Sequence, residues 1–107
     1  MNIPKLTTVF FFLLFAAGAG LAQTSTVLTL TSNPVYEKNC AKCHGETAAG
    51  RHFHGPSLQS EKVAAASGDN LKNIITDGKG HMPKFASKLT PDEIDSLVQQ
   101  IQAANKK

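Results

Sequence analysis

Large apolar side chains are scarce in this 107-residue chain: beyond residue 22, only 18 of 85 positions are Val, Ile, Leu, Met, Phe or Tyr. Chains below roughly 70 to 80 residues usually need a staple, and those just above are marginal, so something besides side-chain burial is expected to hold the domain together. No alternation of apolar and polar residues lasts more than a few positions, which excludes a sheet. Dense basic tracts with interleaved aromatics are missing as well. The net charge of +3 comes from singly scattered lysines, so nucleic acid is not expected as a partner. Repeats and low-complexity tracts are absent. No acid, base and nucleophile stand together, so an enzyme activity of its own is not expected. The chain has only two cysteines, both in one short segment.

The first 22 residues are of another kind. They carry a single charge, Lys5, then the run Val9 to Ala17, then small residues ending Gly20-Leu21-Ala22. This charged, apolar, small-residue order is that of a secretory signal peptide, with cleavage expected after Ala22. The competing reading is a retained membrane anchor, because the uncharged stretch Leu6 to Ala22 approaches the lower length for spanning a bilayer. No cysteine follows the apolar run, which excludes a bacterial lipid anchor there. With the leader removed, no membrane insertion is expected. Residues 23–32, rich in Thr and Ser, read as an extended polar linker, and residues 33–107 as one domain.

Within that domain the elements expected are helices. Asn33-Pro34 is a helix start with Asn33 or Ser32 as N-cap and proline at the first helical position, and the helix is expected to run through Cys43. Gly45 to Gln59 lacks helical periodicity and reads as a long loop, a length that is usually functional. A short helix is expected around Ser60 to Ala66, and another from Asp69 to Asp77, where Leu71, Ile74 and Ile75 share a face and Gly78 ends it. Gly78 to Leu89 is a second loop. Thr90-Pro91-Asp92-Glu93 is a capping box opening a final helix with Ile94, Leu97, Val98 and Ile101 on one face and Lys106 and Lys107 at its far end.

Cys40-Ala41-Lys42-Cys43-His44 is a C-x-x-C-H arrangement, the attachment signature of a c-type haem. On a helix, positions 40, 43 and 44 share a face, so two sulfurs reach the vinyl groups along one side of a porphyrin while the imidazole reaches its iron. A thioredoxin-like disulfide lacks the βαβ context, zinc with His52 and His54 lacks the spacing, and a structural disulfide across two helical residues closes almost no loop. A haem also supplies the missing core, and couples folding to cofactor binding.

With His44 on one axial position, the other needs a partner. Met82 is the leading candidate, in the turn Gly78-Lys79-Gly80-His81-Met82-Pro83, whose glycines allow close approach and whose proline stiffens the exit. His81 is its rival, and a gap-filling core methionine is the plain alternative. His52 and His54 are expected as solvated loop residues. Lys42, Lys79, Lys84 and Lys88 flank these segments and are read either as a basic rim facing an acidic partner or as ordinary solvated surface.

Taken together, Val35-Tyr36-Glu37-Lys38-Asn39-Cys40-Ala41-Lys42-Cys43-His44-Gly45, Gly55-Pro56-Ser57-Leu58, Gly78 to Phe85 and Leu89-Thr90-Pro91-Asp92-Glu93-Ile94 resemble small bacterial class I cytochromes c over about Pro34 to Ala104. The resemblance implies an all-α cytochrome c fold, three to four helices around one haem c bound through Cys40 and Cys43, with His44 and Met82 as axial ligands. It further implies that the Pro56 carbonyl accepts a hydrogen bond from His44 and that Tyr36 packs between the first and last helices. Two departures stand out: Ser32 where the family often has glycine, and Gln100 where an aromatic is common, which bear on the closeness of that helix crossing. The function implied is that of a one-electron carrier between redox proteins; export combined with a c-type haem gives the periplasm as the expected location, and a monomer is the default for a small carrier. The alternatives are a ligand-binding or peroxidatic haem protein with a displaceable Met82, and a membrane-tethered cytochrome subunit of a larger complex.

Overall fold

The computed structural model describes residues 28–106, so the expected leader and most of the linker lie outside the described residues. Within them there are five α-helices and one short 3-10 turn, and no strand. Helix α1 is Pro34–Asn39, α2 is Ala41–His44, α3 is Glu61–Ala65, α4 is Gly68–Asp77 and α5 is Pro91–Ala104.

The helix starts follow from their caps. Asn33 Oδ1 accepts from Val35 N at 2.9 Å and Ser67 Oγ from Asn70 N at 3.1 Å. Ser60 does the same for α3. At α5 the capping box is complete: Glu93 N donates to Thr90 Oγ1 at 3.2 Å and Thr90 N to Glu93 Oε1 at 2.9 Å. Each cap satisfies amide donors that the first helical turn leaves without partners. Helix α5 lays Ile94, Leu97, Val98 and Ile101 against Leu71 and Ile75 of α4, and Tyr36, Ala48, Phe85 and Leu89 complete the same core.

Three expectations are corrected. The helix expected from Pro34 through Cys43 breaks at Cys40, which sits at φ −120°, ψ −38°. Asn39 contributes to the break: its side-chain amide donates to the Val35 carbonyl at 2.9 Å, a local bond that competes with the helical ladder. The stretch read as an extended linker is ordered at its end. Leu30–Ser32 form a 3-10 turn, and Leu30, 4% exposed, joins the core. Lys106 lies past the end of α5, whose last turn holds no basic residue and is closed by Asn105.

The crossing of the first and last helices carries a polar contact. Asn33, 6% exposed, donates from Nδ2 to Gln100 Oε1 at 2.8 Å. Gln100, one of the two departures, thus ties α5 to Asn33 at the start of α1, while Ser32, the other, bonds only within its own turn, to Thr29.

Candidate functional site

Cys40, Cys43 and His44 stay one helical turn apart despite the break, because Cys43 N and His44 N both donate to the Cys40 carbonyl, at 3.1 and 2.9 Å. Neither cysteine is in a disulfide. Burial pushes the Cys40 thiol up to about 11, with neighbouring Cys43 adding to the rise, so Cys40 is held as a neutral thiol.

The imidazole of His44 is oriented by the long loop. Its Nδ1 lies 2.8 Å from the Pro56 carbonyl. A carbonyl only accepts, so Nδ1 carries the proton and Nε2 keeps its lone pair for a metal. The loop reaches this position because glycines let backbones touch: a Cβ on Gly55 would stand 2.8 Å from the Cys43 carbonyl oxygen, and one on Gly50 2.7 Å from Ser57 N. Gly50 N in turn donates to the His44 carbonyl at 2.7 Å.

Tyr36, 1% exposed, donates its hydroxyl to the Gly45 carbonyl at 2.6 Å. It is buried in the same core cluster as Ile94, Leu97 and Ile101 of α5. Burial raises the tyrosine above its ordinary range, and the Cys40 sulfur adds to this. Gly45 itself, at φ +90° and ψ 156°, occupies a backbone region open essentially to glycine alone. The sequence signal for this contact was the glycine directly after His44, though not its tyrosine partner.

Met82 lies in a tight turn closed by Met82 N to the Lys79 carbonyl at 3.0 Å and Lys79 N to the Met82 carbonyl at 3.3 Å. Gly80 supplies positive φ at the first central position of that two-residue loop, as such turns require. Met82 is half-buried and packs against the core, whereas neighbouring His81 is exposed. His52 and His54 are exposed too, in agreement with the expectation of solvated loop histidines. Lys42, Lys79, Lys84 and Lys88 are all exposed. Among the described residues, no group of three or more His, Cys, Asp or Glu gathers to hold a separate metal ion.

These donors fit a haem: two unpaired thiols a turn apart, an imidazole with Nε2 free, and a half-buried thioether on a separate loop. Together with the fold, they define a monohaem c-type cytochrome of class I carrying one haem c attached through Cys40 and Cys43. The family described as "Cytochrome C oxidase, cbb3-type, subunit III" matches residues 30–101, and the chain belongs to it.

The chain is similar to cytochrome c6 of Gloeothece citriformis (strain PCC 7424), 34% identical over 65 residues, covering 59% of this chain and 59% of that relative. It thus spans little more than half the length of that relative. It is also similar to the cbb3-type cytochrome c oxidase subunit CcoP of Rubrivivax gelatinosus, 29% identical over 69 residues, covering 63% of this chain and 23% of that subunit. Among solved structures, cytochrome c6C from Synechococcus sp. PCC 7002 superposes with a TM-score of 0.57 at 27% identity, covering 66% of this chain and 89% of that one.

Proposed function

We propose that the chain is an exported, soluble one-electron carrier whose haem iron is held by His44 and Met82. The bound haem supplies a single reversible electron through its iron. The protein's own residues do the rest: Cys40 and Cys43 tether the group, Pro56 orients His44 through Nδ1, and the Lys79–Met82 turn holds the thioether against the core. Tyr36 steadies the backbone just beyond His44 through Gly45. A neutral thioether ligand favours the ferrous form and raises the potential. The observation that carries the reading is the contrast between half-buried Met82 and the exposed His52, His54 and His81. The similarity to cytochrome c6 supports the carrier role, with the leader 1–22 directing export to the periplasm. Redox proteins are the proposed partners, with an acidic face meeting Lys42, Lys79, Lys84 and Lys88, and the carrier works as a monomer.

The test is the optical spectrum of the mature holoprotein, ferric and ferrous, with and without carbon monoxide. A weak sulfur-to-iron band at the red edge of the ferric spectrum, and a ferrous spectrum that the gas leaves unchanged, are the expected results. No such band, with ready gas binding, overturns the Met82 assignment and favours a ligand-binding or peroxidatic haem protein. Electron exchange with an acidic partner protein is expected to slow as ionic strength rises, and indifference to salt removes the basic rim.

The family's description and the CcoP similarity favour a second reading, a cytochrome unit of a tethered redox complex. Among the described residues no helix is long and apolar enough to cross a membrane, and the tether proposed for this reading is the leader. A mature mass that retains Met1 to Ala22 supports this second reading; a mass beginning at Gln23 supports the free carrier.

A further inference from the structure

Phe53 is 94% exposed and has φ +66°, the left-handed region that a bulky side chain rarely enters. Single exposed apolar residues are common and carry little by themselves. Here the backbone is strained as well, and no burial is returned to the fold. The residue stands at the tip of a three-residue loop, His52-Phe53-His54, closed by Arg51 N to the Gly55 carbonyl at 3.0 Å and Gly55 N to the Arg51 carbonyl at 3.2 Å. His52 braces the ring edge-on, with centroids 3.9 Å apart.

Both ends of the loop are fastened to the haem-attachment turn. Arg51 Nη1 donates to the Lys42 carbonyl at 2.5 Å, and Gly55 lies so close to the Cys43 carbonyl that no Cβ fits between them. No acidic residue occurs from Thr47 to Ser60, whereas Arg51, His52 and His54 flank Phe53 in the chain and Arg51 reaches the Lys42 backbone.

We propose that Phe53 is an anchoring knob for the redox partner, seated in an apolar pocket of that partner rimmed by carboxylates. The proposal rests on reading the chain as an electron carrier. A rigid aromatic ringed by polar groups is the usual form of an interface anchor, and bracing by His52 lessens the ordering cost of docking. Because the loop is fastened to α2, a partner held on Phe53 is brought beside Cys43, which shortens the path for the electron.

The test compares wild type with Phe53→Ser, which removes the ring and keeps the strain, and Phe53→Gly, which removes both. The ferrous holoprotein is oxidised in turn by respiratory membranes of the source cell and by hexacyanoferrate, a small oxidant that needs no pocket. Both variants are expected to lose about tenfold in second-order rate with membranes and nothing with hexacyanoferrate. Phe53→Gly is also expected to melt higher than wild type, because glycine adopts positive φ freely. Unchanged membrane rates in both variants, with wild type active, overturn the knob while leaving the carrier reading intact. A wild type that hexacyanoferrate oxidises and membranes do not overturns the carrier reading and removes the knob's partner with it. Sedimentation showing a wild-type dimer that Phe53→Ser dissolves assigns the knob to a second copy of this chain and overturns the redox-partner assignment.

Discussion

The loop after His44 and the loop before α5, which carries the proposed ligand Met82, follow different helices and are secured by different forces. Residues 45–59 are held by polar ties: Pro56 to His44, Arg51 to Lys42, Leu58 N to the Ala48 carbonyl at 2.9 Å, and Asn105 Nδ2 to the Leu58 carbonyl at 2.8 Å. Apart from Ala48, few of its side chains are buried. Residues 78–89 have the opposite character. Phe85 and Leu89 are driven into the core, and the polar ties are a short turn and two backbone bonds from Phe85 and Ala86 to the end of α4. Directional bonds suit the side where an imidazole must keep one orientation and tautomer. Apolar anchoring sets the depth of the other loop and leaves its thioether more freedom, so Met82 is expected to yield before His44 under stress.

Phe85→Ala tests that difference most severely. Truncating a buried phenylalanine typically costs about 3–5 kcal/mol, and here the loss falls on the Met82 loop. In a denaturant titration of the ferric holoprotein, the sulfur-to-iron band is expected to fade well before the helical signal. Simultaneous loss of both signals would mean that the two loops open as one unit.

Gly78→Ala acts on the same loop through the backbone. Gly78 has φ +76° and ψ 171°, and a Cβ there would meet the Met82 carbonyl oxygen at 2.5 Å. Strain in a region reserved for glycine, added to that collision, is expected to cost about 2–3 kcal/mol and to weaken Met82 ligation. The readout is a lower reduction potential together with carbon monoxide binding that the proposed His44–Met82 ligation denies to wild type.

Much of this site was legible because its signals are local. The C-x-x-C-H spacing, the capping box at Thr90 and the glycine-rich turn at Met82 each complete their geometry within a few residues. What stayed hidden depends on distant partners or on opposed local preferences. Leu30 reads as linker until α5 provides a surface to bury it, and Asn33 finds Gln100 67 positions away. Ala48 and Phe53 both take positive φ, at 63° and 66°, where neither residue type announces it. Ala48 is buried and Phe53 exposed, so no single pattern covers both.

Asn105→Ala probes the polar loop. Its Nδ2 donates to the Leu58 and Ile101 carbonyls, both at 2.8 Å, joining the loop to the end of α5. Loss of both bonds is expected to cost about 1–2 kcal/mol. Since the polar loop is tied at several points, the midpoint of global unfolding should fall while the interval between loss of the sulfur-to-iron band and loss of the helical signal does not widen.

Tyr36→Phe gives the smallest effect and one with a distinctive pH signature. The Gly45 carbonyl that Tyr36 serves also accepts from Ala48 N at 3.2 Å, so deleting the hydroxyl leaves that carbonyl partnered and is expected to cost about 1 kcal/mol at neutral pH. Burial holds the folded-state tyrosine neutral above the ordinary value of 10.0. In the holoprotein Cys40 is a thioether and its charge no longer contributes, which leaves burial as the cause. Below pH 10 the hydroxyl is protonated whether the chain is folded or not, so its contribution to stability is constant. As pH rises past 10 the unfolded chain releases the proton first, and stability falls until the folded value is passed. Wild type is therefore expected to lose stability steadily in alkaline denaturant titrations of the ferrous holoprotein, and Tyr36→Phe to lose less over the same range. Equal alkaline slopes for the two proteins would show that the hydroxyl is not held neutral, and that its bond to Gly45 is weaker than a buried contact of 2.6 Å implies.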